Sequence, residues 1–188
     1  MIEAGKLIRA SMAGRVKRWH TAETTTPQSV AEHSFGVALI LLRIVPEEFM
    51  TVGILKAALL HDMGELETGD IPYATKKRLE ENNRGAQAVL DQMEQEALSN
   101  CCDSFPQLSP VEKDYLHCAD LMEMFIYALI ERSRGNVFAE DWMKTLKEDL
   151  KPYLSLGESV REVWHDLCTA SNQGQAGVLR ALAAAGFR

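Results

Sequence analysis

An all-α helical bundle is the fold class this sequence predicts, and three observations carry it. Apolar residues recur at helical spacing along most of the 188 residues. Helix start and stop signals bracket those segments. No segment shows sustained alternation of period two, which a half-buried strand needs.

In chain order, a weak helical pattern covers Ile2 to Lys17, and the polar run Thr21 to Gln28 reads as a loop. From Ser29 to Val45 the apolar residues Val37, Ile40, Leu41 and Ile44 fall at i, i+3, i+4 and i+7. Ser29 with Glu32 forms a capping box, so that helix starts there and places His33 near its first turn. Thr51 can cap a second apolar helix from about Val52 to Glu65. A weaker pattern spans Arg84 to Ser99, and Cys102 to Leu108 reads as a loop. Ser109-Pro110-Val111-Glu112 is a capping box with proline at the first helical position. That helix runs to about Arg134 and stops at Gly135-Asn136, burying a stripe from Val111 through Leu116, Ala119, Met122, Phe125 and Ile126 to Leu129 and Ile130. Weaker patterns at Trp142 to Leu150, Val160 to Ala170 and Ala176 to Ala185 complete the bundle. With no repeat or low-complexity linker, one domain over residues 1–188 is expected.

The bulk properties suit a compact enzyme. Apolar residues make up 46% of the chain and charged ones 25%, values that argue against disorder. A formal net charge of −7 argues against a general nucleic-acid surface but leaves room for a small anionic substrate met by local Arg and Lys. Cys101, Cys102, Cys118 and Cys168 show no CxxC spacing, so reduced thiols and a cytoplasmic setting are expected. The longest apolar stretches are too short to span a bilayer, and MIEAGKLIRASMAGRVKRWH shows no apolar signal-peptide core. Neither a Walker-type glycine loop nor a Rossmann fingerprint is present.

The chemistry concentrates in four positions: His33, the doublet His61-Asp62, and Asp120. Together they offer two imidazole nitrogens and two carboxylates, a first shell for one divalent transition metal with positions left open. Singly, each reads as a capping or solvated residue. As a set, and with Asp120 mid-helix between Ala119 and Leu121, they need partners, because an unpaired desolvated charge costs several kcal/mol.

His33, HDMGELETGDIP from His61 to Pro72, and CADLMEMF from Cys118 to Phe125 resemble the HD-domain metal-dependent phosphohydrolases. The likeness extends to Arg18-Trp19, to Ala31-Glu32-His33-Ser34 and to the spacing of Glu65, Thr68-Gly69-Asp70 and Pro72, so it covers about residues 18–136. It is closest to the branch of bacterial 5′-deoxynucleotidases and small phage dATP triphosphohydrolases. The resemblance implies an all-helical HD-domain bundle that hydrolyses a phosphate ester or anhydride of a deoxynucleotide. It makes His33, His61, Asp62 and Asp120 ligands of one divalent ion, Zn, Co or Mn, with a second Mg as an option for a polyphosphate substrate. Glu65, one helical turn after Asp62, becomes the proton-transfer carboxylate, and Asp62 shares the catalytic role. Arg18 becomes the phosphate grip, Trp19 an apolar wall against deoxyribose, and Asp70 and Pro72 further substrate contacts.

His117 stands where the resembling enzymes tend to carry lysine, one turn before Asp120, and is counted among the substrate contacts. Lys76, in the cluster Lys76-Lys77-Arg78, is counted as charge for a phosphate tail. The two features pull in opposite directions on monophosphate against triphosphate, so both readings stay open, beside a nucleotide-sensing module without catalysis. The resembling enzymes form oligomers, and a homo-oligomer is expected here, with the apolar tail Gly174 to Phe187 packed on its own domain or on a neighbour.

Overall fold

The computed structural model describes residues 2–186. The helices are α1 (Ile2–Ala10), α2 (Val30–Ile44), α3 (Val52–Leu60), α4 (Glu65–Thr68), α5 (Tyr73–Asn82), α6 (Arg84–Ser99), α7 (Pro110–Ser133), α8 (Ala139–Leu150), α9 (Glu158–Asn172) and α10 (Gly174–Ala184). Three 3-10 turns, Ser11–Arg15, Glu47–Phe49 and Lys151–Ser155, join them. The all-helical class expected from the sequence is the one found. The weak pattern over Ile2 to Lys17 resolves into α1, a 3-10 turn and the strand β1 (Lys17–Arg18), which pairs antiparallel with β2 (Gln28–Ser29). Two-residue strands are too short to show an alternating pattern. Phe187, the expected end of the tail, lies outside the described residues.

The chain gathers into two compact units. The first comprises residues 2–22, Pro27–Phe35 and Val52–Gln107. Its apolar core joins Ala13, Val30, Met63, Leu98 and Cys101, with Val16, Leu60, Leu66 and Phe105 packed around them. Helix α2 enters through the predicted capping box: the Glu32 N–H donates to Ser29 Oγ at 3.2 Å, and Glu32 Oε2 accepts from the Ser29 N–H and hydroxyl, both at 2.7 Å.

The expected helix from Val52 to Glu65 is interrupted. Helix α3 ends at Leu60, and residues 61–64 turn before α4 begins at Glu65. The His61 N–H still reaches the Ala57 carbonyl at 2.8 Å, but Met63 bonds to Leu60 (3.0 Å) and Glu65 to Asp62 (3.1 Å), which tightens the winding. Gly64 is the reason a new helix can start there against α6. A Cβ on Gly64 would stand 2.5 Å from Glu94 Cβ and 2.8 Å from its Cα, so only glycine allows the approach.

The second unit comprises Glu23–Thr26, Gly36–Thr51 and residues 108–186. Helix α7 is its spine and is packed mainly by α8, with α9 and α10 beside it. Both halves of its capping box form between Ser109 and Glu112, and Glu112 also accepts the Thr51 hydroxyl at 2.8 Å. It stops where the sequence says, with Gly135 at φ +95°. Tyr115, Leu121, Met122 and Phe125 are fully buried, and the Phe125 ring meets Trp164 edge-on at 4.8 Å. Within the described residues no helix is long and apolar enough to cross a membrane.

A buried carboxylate closes the second unit. Glu131 is fully buried and accepts the Thr25 hydroxyl (2.6 Å), the Thr25 and Thr26 N–H groups and the Asn136 amide (3.1 Å). Burial pushes its carboxyl up, but these donors outweigh burial and hold it below the usual carboxylate range. Glu131→Ala should lower unfolding free energy by about 2–3 kcal/mol at neutral pH, because the donors lose a charged acceptor. Since the folded pKa is depressed, that contribution is complete above the unfolded value of 4.5 and fades as pH falls through the lower folded value. Urea midpoints of both proteins at pH 7 and pH 3.5 check this: the gap between them narrows in acid.

Candidate metal centre

The turn at residues 61–64 sets the geometry of the site. At the end of α3 the His61 ring lies with Nδ1 2.8 Å from the Ala58 carbonyl oxygen. A carbonyl only accepts, so Nδ1 carries the proton and Nε2 presents its lone pair. Asp62 Oδ2 lies 3.5 Å from His61 Nε2 and 3.6 Å from Nε2 of the fully buried His33, which the first turn of α2 supplies. The ligand atoms of His33, His61 and Asp62 all fall within 4.8 Å of one another, and the two imidazoles are 5.3 Å apart, tilted by 55°.

These residues fit a divalent metal. Ligands about 2.1 Å from a tetrahedral ion stand about 3.4 Å apart, close to the two His–Asp spacings. The fixed tautomer of His61 leaves its buried Nε2 without a hydrogen-bond partner among the described residues, aimed at the carboxylate.

The charges around the cluster ask for the same thing. Arg18, at the end of β1, is buried; its Nη1 pairs with Asp62 Oδ2 and lies 4.0 Å from both Glu65 Oε2 and Asp70 Oδ1. Glu65 is 2% exposed at the start of α4 and accepts from Lys76 Nζ at 3.0 Å, while Lys76 Nζ also sits 3.3 Å from Glu94 Oε1. Burial first, then the Asp62 carboxylate, push the Glu65 pKa well above the usual range; Lys76 and Arg18 oppose this without overcoming it. Burial would lower the Lys76 pKa, but Glu65, Asp62 and Glu94 outweigh it and keep the ammonium protonated. Four carboxyl groups, Asp62, Glu65, Asp70 and Glu94, thus gather around two cations, and even with Glu65 protonated negative charge is in excess, which favours a cation.

Arg18 and Trp19 are brought to this cluster through β1 and the turn that follows it. Trp19 adopts φ +60°, a left-handed conformation that is costly for a bulky side chain. Its N–H donates to Asp70 Oδ2 at 3.1 Å and its carbonyl accepts from the Ala22 N–H at 2.8 Å, which pins the strained residue from both sides. The same Asp70 oxygen lies 3.6 Å from His20 Nδ1, so Asp70 acts here as a latch on the Arg18–His20 segment. Pro72 precedes the first residue of α5. Lys76 faces Glu65 and Glu94. Asp120 and His117 belong to α7 in the second unit, where the His117 ring meets Tyr153 edge-on at 5.2 Å. Sequence reasoning missed Glu94 and Gly64. Glu94 carries no motif signal of its own, whereas the glycine inside the HDMGE segment was a signal that could have been used.

A family model described as HD domain matches residues 14–164. A dATP triphosphohydrolase of Acinetobacter phage SH-Ab 15497 is 30% identical over 141 residues, 68% of this chain and 68% of that one. The 5′-deoxynucleotidase HDDC2 of Bos taurus is 26% identical over 129 residues, 62% of this chain and 63% of that one. Among solved structures, the cyanophage S-2L HD phosphohydrolase (DatZ), bound to dA and one catalytic Zn2+ ion, superposes with a TM-score of 0.61 at 22% identity. That superposition covers 88% of this chain and 96% of DatZ.

The geometry predicts that chelator-stripped protein takes up one equivalent of Zn2+. His61→Ala should weaken that binding by about 100-fold or more, since even outer partners of a ligand cost 10–100-fold. Competition against a chromophoric chelator measures both, and unchanged affinity in the variant would remove His61 from the ligand set.

Proposed function

The chain belongs to the HD-domain family, and from that premise we propose that it is a metal-dependent phosphohydrolase of deoxynucleotides, foremost a 5′-deoxynucleotidase that converts a deoxynucleoside monophosphate to deoxynucleoside and orthophosphate. The observation that carries this reading is the buried carboxylic acid Glu65, one turn beyond a His33–His61–Asp62 cluster and in reach of Arg18. Asp120 is the proposed fourth ligand, supported by the order of a His, a His-Asp doublet and a distal Asp in the sequence. A divalent ion, Zn, Co or Mn, would supply Lewis acidity to water and to a phosphoryl oxygen.

The chain's own residues divide the remaining work. Arg18 grips the phosphate through its planar fork of donors. Its pairing with Asp62 keeps that fork beside the cluster. Trp19, held in place by Asp70, presents its apolar ring to the sugar, and Pro72 and His117 are proposed as further substrate contacts. In hydrolysis water oxygen bonds to phosphorus while the bond from phosphorus to O5′ breaks. Glu65, whose pKa burial raises, holds the proton that the leaving oxygen takes.

The monophosphate reading is favoured by how Lys76 is spent: it is already paired with two carboxylates, which leaves the phosphate to Arg18. A second reading, release of tripolyphosphate from a deoxynucleoside triphosphate with Mg as a further cation, is favoured by the higher identity to the phage dATP triphosphohydrolase. We further infer one HD domain working in the cytoplasm as a homo-oligomer, without stable nucleic-acid binding. The free cysteines, the net charge of −7 and the exposed stripe Phe35, Leu39 and Leu42 on α2 support those readings.

A product-resolved assay of metal-supplemented protein against the four deoxynucleoside mono- and triphosphates tests the proposal, with ribonucleotides and chelator as controls. Orthophosphate from monophosphates is the expected product, and tripolyphosphate from a triphosphate would establish the second reading. Asp120→Asn should lose metal and turnover together. Glu65→Ala should keep its metal and lose about 10²-fold or more in the chemical step.

A further inference from the structure

We infer that Glu94 is a positioning residue of the reaction, clamping the Lys76 ammonium onto Glu65 so that Lys76 serves the proton-transfer carboxylate and not a phosphate tail. The inference rests on the proposed phosphohydrolase reading and specifies what one of its cations does. Lys76 stands on α5, a helix with no buried residue, where a lysine on a flexible four-carbon stem would ordinarily extend into water. Instead its side chain is 26% exposed, with Nζ 3.0 Å from Glu65 Oε1 and 3.3 Å from Glu94 Oε1.

The two carboxylates are each held by backbone of a different helix. Glu65 opens α4. Glu94 lies on α6, whose backbone is pressed so close to Gly64 that a Cβ there would stand 2.9 Å from the Glu94 carbonyl oxygen. That contact fixes the base of the Glu94 side chain against Gly64, the residue that precedes Glu65. Helix α5 is packed against α6 as well, so both the lysine and its anchor ride on the same support. With one anchor removed, the ammonium retains a single partner and regains its reach.

Two measurements on the full-length, metal-loaded protein test this. The first is acylation of lysines by an activated ester, with Lys76 quantified by peptide mass spectrometry relative to exposed Lys77. Glu94→Gln should raise the Lys76 ratio about three-fold or more, and an unchanged ratio overturns the clamp. This readout needs no activity, so it stands if wild type proves inactive on every deoxynucleotide, an outcome that defeats the functional proposal alone. The second is steady-state kinetics on the preferred substrate. Glu94→Gln should lower kcat about ten-fold with KM within about two-fold, and should add nothing in a Lys76→Met background. A raised KM at constant kcat, or additive losses in the double variant, would show that Lys76 binds phosphate or that Glu94 acts through the fold. Should Glu94→Gln fail to fold, Glu94→Asp keeps the charge but retracts it, and a Lys76 labelling ratio equal to wild type counts against the clamp.

Discussion

Bringing Asp62, Glu65 and Asp70 out of water within reach of a single arginine is the constraint around which the first unit is arranged. A desolvated carboxylate without partners costs several kcal/mol, and burial together with the Asp62 charge pushes the Glu65 pKa up. The chain meets the cost in three ways. Arg18 is buried among all three carboxylates, Lys76 is drawn off its exposed helix onto Glu65, and Glu65 itself is biased toward its protonated form. None of these fully balances the site, and as metal ligands the two imidazoles would contribute lone pairs, not charge. The same imbalance that would destabilise an ordinary core is what makes this pocket receptive to a dication.

Much of this was legible in the sequence, and the divisions are physical. Helices α2 and α7 were read to within a residue or so, because caps and apolar period agreed over three or more turns, and α6 was read from its weaker periodic pattern alone. The grouping of His33, His61 and Asp62 was legible because a metal site demands particular side chains whatever the backbone does, and the structure brings those three together. The break after Leu60 was not. The apolar run from Ile54 continues a helical period up to His61, and the tight turn depends on how closely α6 can approach Gly64, a long-range contact that leaves no periodic trace. Glu94 was hidden for a similar reason: its partner Lys76 lies on a different helix, and each residue alone looks like one more solvated charge.

Trp19 shows where local preference yields to the site. A tryptophan at φ +60° contradicts every backbone propensity in that segment, and β1 pairing ends just before it. What compensates is the Asp70 carboxylate on its N–H, reached across the Gly69 turn. Asp70 therefore has a structural task whether or not it also touches a substrate. The sequence reading, which placed Asp70 in a turn and Trp19 against a sugar, identified the residues without the bond that joins them.

The two cations of the site differ in what they can still do once paired. The contacts of Arg18 with Asp62, Glu65 and Asp70 described here run through Nη1, one corner of a planar fork with five donors. A guanidinium can hold a carboxylate on one edge and a phosphate on another, so its pairing orients it without consuming it. Lys76 has a point charge and two carboxylates converging on it within 3.3 Å, so any phosphate it took would have to displace one of them. Displacing Glu65 would also strip the carboxylate proposed for proton transfer of its nearest cation. A short phosphate held by Arg18 leaves both arrangements intact, whereas a long one drawing on Lys76 would dismantle the Lys76–Glu65 pair that orients the carboxyl group. The charge distribution around the cluster thus favours chemistry close to the sugar, at a single phosphate, over a deep cationic channel.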